Sequence, residues 1–237
     1  MTARVLPVLA WLCGGHGVLG GLYWLLLQIP ESSVWMLAAS CLVVSAAVWL
    51  TGVIEMTALL ALPADGPMRL AFGTALRRAW MIVFPLGVFA ALWWATGEAA
   101  AWHARYSGQV DAEIIARTGW TRTAGLHAAV GWLLAFLRWA AGLSLAAALT
   151  ASLAKEGVEG LRPRWMRHGL HWKALFATAV AIILGVWLPW QVVFWRPEAL
   201  PPTWVQPAFA VLKLLLIYVA GNLAWAMVLR TASRRAR

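Results

Sequence analysis

The sequence predicts an all-α, polytopic transmembrane bundle of about six helices, with two amphipathic helices lying on the cytoplasmic membrane surface. Three observations carry that reading. Of 237 residues, 62% are apolar and only 12% are charged, against about a quarter charged in soluble domains, so there is too little polar surface to cover a water-soluble core. Apolar residues gather in runs of about 20 or more, the length that crosses a hydrocarbon core of roughly 30 Å. Lys and Arg concentrate at alternate ends of those runs, the pattern that orients a chain in a bilayer.

Taken in order, the spans are expected at Val5–Ile29, Val34–Leu62, Trp80–Thr96, Ala124–Leu153, Ala174–Trp195 and Ala208–Leu229. Each must be helical, because lipid offers no partner to unpaired backbone groups. The first run is too long for a signal-peptide h-region and no convincing small-residue cleavage site follows it, so it reads as a retained span. The second and fourth are long enough to tilt or protrude. Pro85 and Pro189 fall within the third and fifth, where each predicts a kink. The outward connection from Gly97 to Thr123 carries mixed charge and predicts short helices on either side of a break at Gly108. The stretch from Arg196 to Pro207 is proline-rich and reads as a stiff extended loop. The whole chain, residues 1–237, reads as one integral membrane domain. Its spans suggest a weak internal repeat, 34–97 against 124–195.

Orientation follows from the connections. One side collects Arg4, Arg69, Arg77, Arg78, Lys155, Arg162, Arg164, Arg167, Lys173, Arg230, Arg234, Arg235 and Arg237; the other has Arg105, Arg117, Arg122 and Arg196. Thirteen against four places both termini in the cytoplasm of a bacterial inner membrane. The net charge of +10 therefore points to anionic phospholipid as partner and not to nucleic acid, since the basic residues flank apolar segments.

Two basic connections share a pattern. In residues 63–80, Asp65 is placed to cap a helix and Pro67 to occupy its first turn. Met68, Phe72, Leu76 and Ala79 then share a face away from Arg77 and Arg78, and Trp80 marks the interface. In residues 156–172, Pro163 suits a first turn. Val158, Leu161, Trp165, Gly169 and Trp172 gather on one side, opposite Arg164, Arg167, His168 and His171. Both read as helices lying in the interface, with tryptophan at headgroup depth and cations toward phosphate. The segments AFGTALRRAWMIVFPLGVFAALWW (71–94) and EGVEGLRPRWMRHGLHWKALFATAVAII (156–183) resemble the membrane domain attached to some glycerophosphodiester phosphodiesterases and its stand-alone relatives. The resemblance covers about residues 50–195 and implies spans alternating with basic interfacial helices. Because no phosphodiesterase catalytic domain is present, it implies neither that activity nor any functional residue.

Ionisable residues inside spans are the first place to look for function, because lipid makes them costly. Glu55 lies late in the second span, Arg138 midway along the fourth, Lys213 early in the sixth and His16 midway along the first. These four form the expected intramembrane polar site. An Arg138–Glu55 ion pair is one arrangement, and snorkelling of Lys213 to the surface is another. His16 and His127 are the two histidines that could hold a haem b across helices, although their depths differ. His168 and His171 have a metal-compatible i, i+3 spacing but arginine neighbours. Cys13 and Cys41 sit in apolar runs and behave as small hydrophobes. The run CGGHGVLGG allows close approach of a helix. Of 18 tryptophans, Trp93, Trp94, Trp120, Trp195 and Trp204 join the interfacial belts. Trp11, Trp49, Trp132, Trp139, Trp187 and Trp225 sit deeper, for packing or for an aromatic cavity.

No GxSxG, HExxH, Walker or CxxC sequence occurs, so no enzyme class, cofactor or metal site is implied. The expected function is therefore that of a non-enzymatic inner-membrane subunit, structural or accessory, contacting other membrane proteins or itself. The alternative is a small permease or carrier of lipid or another hydrophobic ligand, with its polar site between the helices.

Overall fold

The computed structural model describes residues 5–30, 32–62, 68–195 and 204–235. Arg4, Asp65, Pro67, Arg237 and the proline-rich stretch from Arg196 to residue 203 lie outside them. Ten α-helices follow one another among the described residues: α1 (Val5–Gln28), α2 (Val34–Ala61), α3 (Met68–Arg78), α4 (Val83–Thr118), α5 (Ala124–Phe136), α6 (Gly142–Glu156), α7 (Arg164–Gly169), α8 (Trp172–Ile182), α9 (Leu188–Phe194) and α10 (Val205–Arg235). No strand occurs among these residues. Six helical passages are long and apolar enough to cross a membrane, so the bundle is all-α and polytopic, as its hydropathy requires. A π-turn at Leu137–Ala141 joins α5 to α6 into the fourth passage, and another at Ile183–Trp187 joins α8 to α9 into the fifth.

Local chemistry sets the helix ends. Ser33 caps α2 by accepting from the Met36 amide at 3.3 Å, which satisfies one of the orphan donors of a first turn. Gly119, in the left-handed region at φ +69°, stops α4 and donates its amide to Ile115. Gly157, at φ +65°, stops α6 in a comparable way.

Four expectations need correction. The outward connection is not a pair of short helices broken at Gly108, because α4 runs unbroken through it to Thr118. At 1.5 Å per residue its 36 residues span about 54 Å, so the last turns project well beyond a membrane roughly 30 Å thick. Glycine lowers helix propensity by only about 1 kcal/mol, too little to break a helix anchored on both sides. Pro85 makes no mid-span kink, since it is the third residue of α4, where a missing amide costs nothing. Pro189 follows a π-turn, and that looser turn absorbs the clash its ring would make with the carbonyl one turn back.

The fourth correction concerns residues 156–172. They do not form one interfacial helix. A 3-10 turn at Gly157–Leu161 is followed by the short α7, and α8 starts at Trp172. The apolar face of α7 turns inward: Trp165 is 6% exposed and packs with Met56, Ala75, Met81, Leu145, Leu149, Leu153 and Ala154. Gly169 is buried on the same face, and its carbonyl accepts from Ser144 Oγ at 2.7 Å. Trp165 is thus a core residue and not a headgroup anchor. Trp172 remains outward, 65% exposed, with the Lys173 ammonium over its ring. Arg164, Arg167 and His171 are exposed and His168 half-buried. His171 caps α8 by accepting from the Lys173 amide.

Around α3 the expected face is kept in part. Ala75 and Ala79 are buried, Met68 packs on the core, and Phe72 and Leu76 stay partly outside. Phe72 meets Trp11 of α1 edge-on. The two positively charged neighbours behave differently. Arg77 is exposed and bonds only its own helix, at Gly73 O, and Trp80 is exposed beside it. Arg78 reaches across to donate to Ala154 O at 2.6 Å, one of the unpaired carbonyls that end α6. A cation there is favoured by both hydrogen bonding and the helix dipole. We expect Arg78→Ala to destabilise the bundle by about 1–2 kcal/mol, with Arg78→Lys recovering part of the loss. Unfolding in mixed detergent micelles measures it, and an unchanged midpoint for Arg78→Ala would remove the cap from the account.

The core is lopsided. Buried apolar side chains come from Val8 and Leu12 of α1, the last third of α2, the 3-10 turn at Ala79–Ile82, α6 with Ala140 and Ala141, and the last third of α10. These segments meet at the end of the bundle that carries the basic connections, called here the basic end. Lys155 closes it by donating to Ser233 O at 2.6 Å. Toward the far end burial falls away: α5 buries no residue, α9 buries only Pro189, and the first halves of α2 and α10 bury none. The contacts there include those of neighbouring helices, α4 with α5 and α9 with α10.

Candidate functional site

The candidate site is a polar clasp joining α1, α2 and α10 where the packed half of the bundle begins. Glu55 lies on the last third of α2, inside the core, with its side chain 8% exposed. His16 comes from the middle of α1, where Gly15 lets the helix approach: a Cβ there would stand 2.6 Å from Ile54 Cγ1. His16 Nε2 is 3.1 Å from Glu55 Oε1, and His16 Nδ1 is 2.6 Å from Asn222 Oδ1. Trp225 Nε1 donates to Glu55 Oε2 at 2.7 Å. Asn222 and Trp225 are one turn apart on α10, as a shared helical face requires. The Asn222 amide nitrogen donates to Tyr218 O, and the Tyr218 hydroxyl donates to Cys13 O. Trp11 Nε1 adds a bond to Ile54 O at 3.1 Å.

Proton bookkeeping decides what this cluster is. The Asn222 amide nitrogen is spent on Tyr218 O, so its oxygen must accept, and His16 Nδ1 must donate. Glu55 Oε2 accepts from Trp225. One proton then remains for the contact between His16 Nε2 and Glu55 Oε1. On the imidazole it makes an ion pair; on the carboxyl it makes a neutral pair. In both forms the cluster is neutral overall and every polar atom in the chain of bonds has a partner. That is what makes it tolerable inside a membrane, where an unpaired charge costs several kcal/mol.

The four residues expected to form one intramembrane site do not converge. His16 and Glu55 meet, but Arg138 belongs elsewhere, so the Arg138–Glu55 pair is not formed. Arg138 sits in the π-turn between α5 and α6, donates to Thr96 Oγ1 at 3.0 Å and lies over the Trp93 ring at 4.7 Å. It binds α4 to the fourth passage. Thr96 stays satisfied by bonding back to Leu92 O. Lys213 is at the far end, donating to Val193 O and Trp195 O at 2.8 and 2.7 Å. It thus caps the last turn of α9, whose carbonyls have no partner of their own.

His127 forms a separate cluster near the far end, so it and His16 do not face one another. His127 Nε2 lies 2.7 Å from Asp111 Oδ1 and its Nδ1 lies 3.1 Å from His103 Nε2, pinning the projecting part of α4 to the start of α5. The hydrogen bond from His127, with a further one from Thr123, holds the Asp111 carboxyl below its ordinary value of 3.8. A depressed carboxyl contributes stability above that ordinary value and loses it as pH falls through the folded-state value. Melting temperature followed from pH 7 into the acid range below about 3.8 should therefore fall further for the native chain than for Asp111→Asn. Parallel curves would contradict the contact.

No protein-family model, curated protein or solved structure matches the chain. The site must be read from its own geometry. The sequence singled out His16 and Glu55, read Trp225 as one of the deeper rings for packing or a cavity, and missed Asn222 and Tyr218. Attention to charge alone hid them; the usable signal was an uncharged polar pair, Tyr218 and Asn222, one turn apart in an otherwise apolar run. Of the deeper tryptophans, Trp11 and Trp225 serve the clasp and Trp139 packs edge-on against Trp93. Trp132 and Trp187 face outward, so these rings do not line a common cavity.

Proposed function

We propose that this protein is a non-enzymatic subunit of the bacterial inner membrane, with its basic end and both termini in the cytoplasm, that assembles with other membrane proteins through its far half. The observation that carries the reading is the division of labour along the bundle. Its only interior proton-bearing cluster among the described residues is saturated by its own hydrogen bonds, as a structural tie between helices is. Its far half, by contrast, offers helical faces that the chain itself does not cover. On α1, Gly14 at the level of the clasp and Gly21 in the far half stand two turns apart on one face, and a Cβ on either meets nothing within 4 Å. In lipid, apolar side chains gain little by leaving the bilayer, so helices associate where small residues let backbones come close. An uncovered glycine face fits that role.

The carrier reading would need a watered path to Glu55, whose carboxylate is enclosed between His16 and Trp225. The clasp geometry therefore favours the subunit reading.

The test is Gly14→Leu combined with Gly21→Leu. A Cβ at either position meets nothing within 4 Å, so the expected result is an unchanged melting temperature in detergent with loss of the associated species from native mass spectra recorded in mild detergent. The mass lost identifies a second copy of the chain or a different subunit. Retention of the same associated species in the double variant would overturn the proposal, and so would a native chain that is monomeric in spectra that preserve known membrane complexes.

A further inference from the structure

An apolar groove of about 400 Å³ opens on the bundle between α1, the π-turn before α9, and α10. Val8, Leu184, Leu188, Leu223 and Met227 line it, and at its basic end stands Arg230. Arg230 lies ten residues from Ala220, another lining residue, so the groove extends about 15 Å along α10 from the membrane surface toward the midplane. The volume lies in the range of roughly 300–1,000 Å³ typical of small-ligand sites. Its walls are almost wholly hydrocarbon, and its single charged wall residue is at the end that meets headgroups. Among the described residues no side chain pairs with the Arg230 guanidinium. The four side-chain ion pairs given by the described residues lie elsewhere, and the Arg230 carbonyl accepts from Ser233 Oγ.

An unpaired guanidinium half-buried beside hydrocarbon is a poor resting state, since its five donors need acceptors in a planar array. A phosphodiester supplies that array, and the chain attached to it supplies what the groove walls need. We propose that the groove holds one acyl chain of an anionic phospholipid from the leaflet at the basic end, with the lipid phosphate on Arg230. The occupant is set by complementarity of charge and polarity at once. A transmembrane partner helix would fill the apolar part and leave the guanidinium unsatisfied. A free phosphate would satisfy the guanidinium and leave the groove empty. The inference does not depend on the subunit assignment above, because Arg230 and the glycine face are different surfaces.

The intact protein is reconstituted in phosphatidylcholine vesicles with and without phosphatidylglycerol of the same chains, extracted in mild detergent, and its retained lipid is counted by native mass spectrometry. The expected result is one phosphatidylglycerol held in preference to phosphatidylcholine. Arg230→Gln should lower its occupancy about five- to tenfold, as loss of one lipid-facing cation implies, while Arg230→Lys should keep most of it. Met227→Trp, which fills the groove but keeps the arginine, should also release the lipid. Arg77→Gln, at the same end but outside the groove, should leave it bound. Equal retention of both lipids would overturn the proposal, as would an unaffected Arg230→Gln or Met227→Trp. Displacement of the lipid by inorganic phosphate alone would show a simple anion site, and a bound protein chain in place of lipid would show a helix-docking groove; both results contradict the assignment.

Discussion

Glu55→Ala is expected to destabilise the folded bundle by about 3 kcal/mol, the largest loss among single side-chain deletions in the clasp. The reason lies in what the substitution leaves behind. His16 Nε2 loses its partner and Trp225 Nε1 its acceptor in a place where water cannot replace them. A single interhelical hydrogen bond in a membrane protein averages only about 0.6 kcal/mol, so one lost bond would barely register. Here one carboxyl group bonds side chains on two different helices, and its removal takes a tie from α2 to α1 and another to α10 together. Glu55→Gln keeps an acceptor and the shape, so it should cost nearer 1 kcal/mol. A double-mutant cycle with His16→Ala, read by reversible unfolding in mixed micelles, separates the two views. Coupling of about 1.5 kcal/mol or more supports a closed network, whereas strictly additive losses would show two independent side chains.

Gly52→Ala should be comparably damaging, for a steric reason. A Cβ at Gly52 would stand 2.2 Å from the carbonyl oxygen of Ala79 and under 3 Å from that residue's backbone carbons. The obstacle is backbone, in the 3-10 turn that leads into α4, so no rotamer change relieves it. α2 and that turn must move apart, which opens the packing of Met56, Met81 and Leu149 behind them. Overpacking of this kind costs about 1–3 kcal/mol in soluble cores, and more where backbone must shift. The matched control is Gly14→Ala, where the new methyl meets nothing within 4 Å and helix propensity improves. Thermal stability should drop sharply for the first and not at all for the second. Similar behaviour of the two variants would mean that the α2 crossing is looser than described.

Much of the architecture was legible because lipid imposes few options. Length and hydropathy located all six passages, with ends displaced by a few residues except at α4. There the sequence lost the helix after Thr96 because it became polar, and polarity in a membrane protein reports depth, not secondary structure. The 36-residue helix is held beyond the bilayer by His127 and Asp111, a contact across 16 residues that periodicity cannot display. The amphipathic reading of residues 156–172 failed for a related reason. A helical wheel assigns faces but cannot tell a lipid headgroup from a neighbouring helix, and Trp165 faces α6. For the site, His16 and Glu55 stood out by the cost of burying them. Their partner could not be chosen from sequence, since Arg138 was equally eligible by charge. Geometry chose an uncharged amide and an indole on α10, and sent Arg138 to Thr96 and Trp93.

The most direct measurement is site-specific photocrosslinking in native membranes from the far-half faces that the chain leaves open. The probe replaces Trp132 on α5, 78% exposed, or Val211 on α10, 64% exposed; the matched control replaces Phe176 on α8, also exposed but at the basic end. Discrete protein adducts of defined mass are expected from Trp132 or Val211, and lipid adducts alone from Phe176. Lipid adducts alone from all three positions would contradict assembly through the far half.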